Sequence, residues 1–164
     1  MLLGNYFKNI KNNYKNFFFS GISFDSNKIK KNYIFFAIKG NKIDGNNFIS
    51  SAIHNGAKII ITEKKVDQLK NGILFIQSKN IRKLLAEISF KIHNNLPNNI
   101  IAVTGTNGKS SVADFYYQIL NLNNNKVASI GTLGVKSKKF KINLSNTTMD
   151  PIKLSKILSN LKKK

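Results

Sequence analysis

Residues 100–111 read IIAVTGTNGKSS, and no other stretch restricts so narrowly what the chain can become. Ile100, Ile101, Ala102 and Val103 have the β-branched content of a buried strand. The residues after Lys109 keep a helical apolar spacing, so the glycines fall at a strand-to-helix junction. That is the setting of a phosphate-binding loop. Gly105 and Gly108, lacking Cβ, let the backbone take positive φ and come close to a polyphosphate. The first amides of the following helix then point at the anion, at the positive end of the helix dipole. Lys109 supplies a mobile positive charge suited to the β and γ phosphates, and the Ser110 hydroxyl suits a magnesium ion bridging them. The common GxxxxGK form would put a further glycine where Val103 stands, so this loop is the variant Gly-x-x-Gly-Lys-Ser.

The remaining composition bounds the function classes. A length of 164 residues leaves room for one ordinary domain, or one small domain plus part of another, and 41% hydrophobic residues suffice for a core. The absence of cysteine excludes disulfides, thiolate metal sites and cysteine nucleophiles. No apolar run reaches membrane-spanning length, so a soluble cytoplasmic protein with no membrane partner is expected. The net charge of +20 raises the question of nucleic acid. The lysines are scattered through every segment, however, and Arg82 is the single arginine, whereas bidentate recognition of bases and phosphates favours arginine. A compositional bias toward Lys, Asn and Ile accounts for the charge, and no nucleic-acid partner is expected; the positive field still attracts anionic nucleotides.

Strands and helices alternate along the chain, which implies an α/β fold. Residues 1–16 carry a loosely helical pattern. Strands are expected at 22–24, 33–38, 57–62 and 73–76, and helices after Asn46 or Asn47, stopped by Asn55-Gly56, and over 81–93. The polar, proline-bearing stretch 94–99 separates a first domain, 1–97, from a second, 98–164. In the second, Val112, Phe115, Tyr116, Ile119 and Leu120 form one apolar helical face, and 126–130 is a strand completing a β-α-β unit. Gly131 to Gly134 form a loop at the end of that strand, residues 140–143 a short strand, and Asp150-Pro151 begin a last helix. His54 and His93 are read as surface or helix-end residues without a role.

With these residues in view, a resemblance can be named. Thr104-Gly105-Thr106-Asn107-Gly108-Lys109-Ser110-Ser111 is similar to the ATP loop of the Mur ligases, the enzymes that add amino acids to the peptidoglycan precursor. Asp25-Ser26, Phe35-Phe36-Ala37-Ile38-Lys39-Gly40, Asp44-Gly45, Phe48-Ile49, Ala52-Ile53 and Gly56-Ala57 resemble the uridine-nucleotide domain of that family. Ile130-Gly131-Thr132-Leu133-Gly134 and Asn146-Thr147-Thr148 with Asp150-Pro151 resemble the branch that adds the third amino acid. Asn27 stands where the family usually has arginine, and Met149 where a proline is common.

The resemblance implies a small uridine-nucleotide-binding α/β domain over 1–97, which binds the UDP-muramoyl substrate, followed over 98–164 by the incomplete start of a central P-loop ATPase domain. It implies an ATP- and Mg2+-dependent amide ligase of cell-wall biogenesis, joining diaminopimelate or lysine to UDP-N-acetylmuramoyl-L-alanyl-D-glutamate through an acyl phosphate. Its partners would be that nucleotide-linked dipeptide and an amino acid, and the chain would be a monomer. Phe24, Ser26, Asn41, Lys42 and Ile43 would contact the uridine part, and Asn146, Thr147 and Thr148 the muramoyl-peptide side. Gly105, Thr106, Asn107, Gly108, Lys109, Ser110 and Ser111 would hold ATP, with Lys109 as the catalytic residue and Ser110 as a magnesium ligand. The chain is expected to be an N-terminal fragment that ends before the carbamylated lysine and the amine-selecting segment, and to lack ligase activity by itself. Two other readings stand beside this one: a sibling ligase that acts on the tripeptide, and a basic nucleotide- or nucleic-acid-binding module without catalysis.

Overall fold

Runs of Ile, Phe and Ala without polar alternation can be buried only where both faces of a sheet are covered, and the first half of the chain is built on that requirement. The computed structural model describes residues 1–8, 10–66, 68–138, 141–142 and 149–163. The chain divides into two units, Met1–Asn94 and Asn95–Lys164. In the first, β1 (Gly21–Ser23), β2 (Tyr33–Phe36), β3 (Ala57–Thr62), β4 (Gln68–Lys70) and β5 (Ile73–Gln77) form one sheet in the order β1-β2-β3-β5-β4. The strands β1, β2, β3 and β5 are parallel, and β4 runs antiparallel beside β5 at the edge.

The register explains the composition. Phe35, Ile60 and Phe75 lie side by side on one face, and Ile34, Ile59 and Leu74 on the other. All but Phe75 are essentially inaccessible to water. Each such side chain contributes about 1.5–3 kcal/mol by leaving water. The helix α1 (Ile49–His54) lays Ala52 into the cluster of Phe35, Ala37, Ile60 and Ile73, and α2 (Ile81–Ile92) buries Ile81, Leu85 and Ile88. Asn80 caps α2 by accepting from the Lys83 amide at 3.0 Å, and Gly56, at φ 106°, ends α1 as anticipated.

Two local expectations are corrected in this unit, and one strand is added. The first residues form no α-helix. Leu3–Asn5 and Asn12–Tyr14 are single 3-10 turns, and the segment doubles back so that the Leu3 amide reaches Phe17 O and the Phe19 amide reaches Met1 O, both at 2.9 Å. Burial of Leu3 and Phe19, both fully enclosed, outweighs a weak helical pattern interrupted by Gly4. Neither Asn46 nor Asn47 caps α1: its N-cap is Phe48, without a side-chain cap, and the 3-10 turn Gly45–Phe48 leading into it is capped by Asp44, whose carboxylate accepts from the Asn46 amide. The edge strand β4 was not anticipated, because Gln68-Leu69-Lys70 has a single apolar residue and pairs through its backbone.

The second unit contains α3 (Lys109–Leu122), β6 (Ala128–Gly131), β7 (Gly134–Ser137), β8 (Lys141–Ile142) and α4 (Pro151–Lys163). Asp150 Oδ1 accepts from the Lys153 amide at 2.9 Å, so the expected cap of α4 is formed. Residues 100–103 are not a strand, and Ile100, Ile101 and Val103 are exposed. The β-α-β unit therefore does not close; β6 pairs antiparallel with β7, and β7 with β8. A two-residue turn joins β6 to β7, so their ladder forms at little loop-closure cost, whereas 100–103 find no ladder partner among the described residues. The apolar face of α3 is likewise exposed at Val112, Phe115, Tyr116 and Ile119, with Tyr117 buried instead. Among the described residues no helix is long and apolar enough to cross a membrane.

Candidate functional site

In the first unit the predicted uridine-contacting residues stand on the two loops that follow β1 and β2. These strands are parallel neighbours, so both loops leave the same edge of the sheet, the carboxyl edge at which open α/β sheets take ligands. After β1, Phe24 is exposed, Asp25 accepts from the Asn27 amide at 3.0 Å, and Ser26 is buried at the head of a 3-10 turn, Ser26–Lys28. The turn is fastened to the helix layer by Asn55 Nδ2, which donates to Ser26 O at 2.9 Å. After β2, Lys39 and Asp44 form an antiparallel bridge, and the Gly40 amide donates to Ile43 O at 2.8 Å, which closes a tight turn with Asn41, Lys42 and Ile43 exposed on it.

The rigidity of that second loop rests on Thr62, which the sequence reading did not single out, acting through Asn46 and Asp44. Thr62, at the end of β3 and 1% exposed, donates from Oγ1 to Asn46 Oδ1 at 2.7 Å and accepts from the Lys64 amide at 3.2 Å. Asn46 in turn donates to Asp44 Oδ1 from both its amide, at 2.9 Å, and Nδ2, at 2.8 Å. These bonds from Asn46, backbone first, then the positive charges of Lys39 and Lys64, hold the Asp44 carboxyl below the ordinary carboxylate range. Arg82, the single arginine, donates to Lys39 O at 3.2 Å. Gly45 is required by space: a Cβ there would lie 2.6 Å from both N and O of Ile38. A hydroxyl closing an otherwise aliphatic strand, Ile59-Ile60-Ile61-Thr62, was the available signal for Thr62.

In the second unit the predicted phosphate loop keeps the geometry its glycines suggested. Gly108 is the N-cap of α3 in the left-handed region, at φ 73°, and Gly105 has φ 152°. Among the described residues no side chain caps the start of α3, so the amides of its first turn have no local side-chain acceptor. Lys109 Nζ lies along the loop, donating to Gly105 O at 2.5 Å and Thr106 O at 2.9 Å. Ser110 Oγ is 2.9 Å from Thr132 Oγ1, in the turn between β6 and β7. A shallow recess beside it is lined by Ser110, Asp114, Gly131, Thr132 and Lys136. Asp114 accepts from Lys136 Nζ at 2.9 Å and from Gln118 Nε2 at 2.5 Å, and these bonds, that from Lys136 foremost, lower its pKa.

The loop thus brings Gly105, Thr106, Asn107, Gly108, Lys109, Ser110 and Ser111 together at one helix start. The predicted muramoyl-peptide contacts Asn146, Thr147 and Thr148 lie outside the described residues. Among the described residues no three His, Asp or Glu side chains converge as metal ligands. The donor set at the loop, one hydroxyl beside an anion-accepting helix start, fits a magnesium ion held chiefly by nucleotide phosphates and water.

Comparison with known proteins shows the family of both units. The family description "Mur ligase family, catalytic domain" matches residues 19–102, and "Mur ligase middle domain" matches residues 103–164. A protein of Rickettsia typhi named UDP-N-acetylmuramoyl-L-alanyl-D-glutamate--2,6-diaminopimelate ligase is 37% identical over 158 residues, covering 93% of this chain and 32% of its own. A protein of the same name from Zymomonas mobilis is 37% identical over 141 residues, covering 86% of this chain and 29% of its own. The chain therefore spans about a third of the length of the curated relatives it matches. A solved structure bearing that ligase name superposes with a TM-score of 0.76 at 24% identity, over 94% of this chain and 32% of the other, and so shares the fold. By the two domain matches, which together run from residue 19 to residue 164, the chain belongs to the Mur ligase family.

Proposed function

We propose that the chain carries the UDP-muramoyl-substrate domain, residues 1–97, and the opening of the ATP-binding domain, residues 98–164, of a ligase that joins diaminopimelate to UDP-N-acetylmuramoyl-L-alanyl-D-glutamate. The observation that carries the reading is the start of α3: left-handed Gly108, uncapped first-turn amides and Lys109 lie within one turn of each other. The amino acid is the one in the names of the Rickettsia and Zymomonas relatives.

In this reading the helix-start amides and Lys109 bind the β and γ phosphates of ATP, with Lys109 leaving its carbonyl partners to do so. As the substrate carboxylate attacks the terminal phosphorus, the same groups stabilise the charge growing on the transferred phosphoryl, which is positioning and electrostatics rather than covalent work. Ser110 would hold a magnesium ion, which when bound would supply charge neutralisation at the phosphates. Phe24, Ser26, Asn41, Lys42 and Ile43 hold the uridine end at the carboxyl edge of the sheet, and Asn146, Thr147 and Thr148 contact the muramoyl-peptide side. The reading carries with it a monomeric chain and a cytoplasmic location.

The test is equilibrium titration of the chain with ATP and with the UDP-muramoyl dipeptide, against an oligonucleotide over a range of salt. Saturable binding of both nucleotides is expected. Oligonucleotide binding that falls steeply with salt, without specific binding of either nucleotide, would overturn the proposal in favour of a basic nucleic-acid module.

A further inference from the structure

Two side-chain pairs tie the β6–β7 hairpin to α3, and they repeat the same spacing. Ser110 meets Thr132 and Asp114 meets Lys136, each pair separated by 22 residues. Ser110 and Asp114 are four residues apart on α3 and share a helix face, while Thr132 lies in the turn of the hairpin and Lys136 four residues on, in β7. Lys136 Nζ also lies 5.0 Å from the centroid of the Tyr117 ring, and Tyr117 is the buried residue of α3. The second pair is thus a strut anchored at three points, by Asp114, Tyr117 and the strand itself. The first pair, one helical turn nearer the loop, is what the strut holds in register.

We propose that Thr132 is a positioning residue for the Ser110 hydroxyl, kept in place by the Asp114–Lys136 ion pair. The inference rests on the phosphate-loop reading of residues 105–111. A serine hydroxyl has one proton and two lone pairs, and its proton follows whichever acceptor is offered. At 2.9 Å from Thr132 Oγ1, Ser110 can direct its proton there. Both lone pairs of Ser110 are then turned away from Thr132, where a cation on the nucleotide phosphates can use them. A cation at Ser110 itself favours this orientation, since it repels the proton. Thr132 suits the task because its β-branched side chain has few rotamers and it sits in a turn flanked by the paired Gly131 and Gly134. Thr132 touches neither phosphate nor metal in this account; it acts through Ser110.

The experiment measures ATP affinity of the whole chain with and without Mg2+ and takes the ratio of the two. Thr132→Val is expected to lower that ratio by about three- to tenfold, the worth of one neutral hydrogen bond. Thr132→Ser, which keeps the hydroxyl, restores the ratio. Lys136→Met lowers it as well, and the double variant Lys136→Met with Thr132→Val falls no further than Thr132→Val alone, because the strut acts through Thr132. A thermal unfolding curve for each variant separates these effects from loss of fold. A wild-type ratio in Thr132→Val, or a ratio in Thr132→Ser as low as in Thr132→Val, would overturn the proposal. ATP affinity that is the same in Lys109→Ala as in the wild type would show instead that the loop reading is wrong, and the assignment of Thr132 would fall with it.

Discussion

Replacing Thr62 by valine isolates the polar network that shapes the loop after β2, which is proposed to take the uridine end of the substrate. Valine matches threonine in shape, so the fully enclosed end of β3 keeps its packing and loses only the hydroxyl. Two groups then lose their partner: Asn46 Oδ1, which accepts from Thr62 at 2.7 Å, and the Lys64 amide, which donates to it at 3.2 Å. A buried polar group left unpaired costs about 1–3 kcal/mol. Both of these contacts are only part-buried, so water recovers some of that, and the expected loss is about 1–2 kcal/mol in urea unfolding. The consequence for binding is separate. Asn46 also holds Asp44 through two hydrogen bonds, and Asp44 pairs with Lys39 across the turn that carries Asn41, Lys42 and Ile43. Freeing Asn46 loosens that turn, so affinity for the UDP-muramoyl dipeptide should fall together with stability. Thr62→Ser separates the two effects, since it loses a methyl group but keeps both hydrogen bonds; it should cost about 0.8 kcal/mol of stability and leave the affinity intact. Thr62→Val with unchanged stability and unchanged affinity would refute the reasoning.

Other predictions follow from the same contacts. Gly45→Ala places a Cβ 2.6 Å from the Ile38 backbone, which cannot move away as a side-chain tip can; a loss of about 1–3 kcal/mol is expected in denaturant unfolding. Gly108→Ala meets nothing within 4 Å, so its cost is the left-handed φ of 73° alone, about 1–2 kcal/mol, read as fraying of α3 by hydrogen exchange and as weaker ATP binding. The Asp44 carboxyl is held below its ordinary value chiefly by its bonds from Asn46, so its contribution to stability is complete above the unfolded-state value of about 3.9 and is lost as pH falls through the lower folded-state value. Acid titration of unfolding should therefore show a steeper fall below about pH 4 for the wild type than for Asp44→Asn.

The sequence disclosed most where local chemistry and tertiary packing ask for the same thing. The strand Ala57–Thr62, buried at five of its six positions, could be read directly, as could α2, where Ile81, Leu85 and Ile88 recur at helical spacing. The loop glycines were recognisable because positive φ and an adjacent lysine leave few alternatives. What sequence could not supply was the identity of partners. The β-branched run Ile100, Ile101, Ala102 and Val103 has the composition of a strand but meets no ladder among the described residues, and the apolar residues of α3 mark a face without saying what lies against it. β4 and β7 were missed because their pairing resides in backbone groups that every residue carries. Thr62 and Asn46 are 16 residues apart, and only the folded sheet shows that they meet.

Residues 105–111 are proposed to hold a triphosphate through helix-start amides and one lysine. ATP binding by Lys109→Ala, compared with the wild type in the same buffer and salt, tests it most directly. A charge-assisted hydrogen bond is worth about 1.5–3 kcal/mol, so affinity should fall by about ten- to a hundredfold, with the unfolding curve little changed because Lys109 is exposed. Equal affinity in the two proteins would contradict the account.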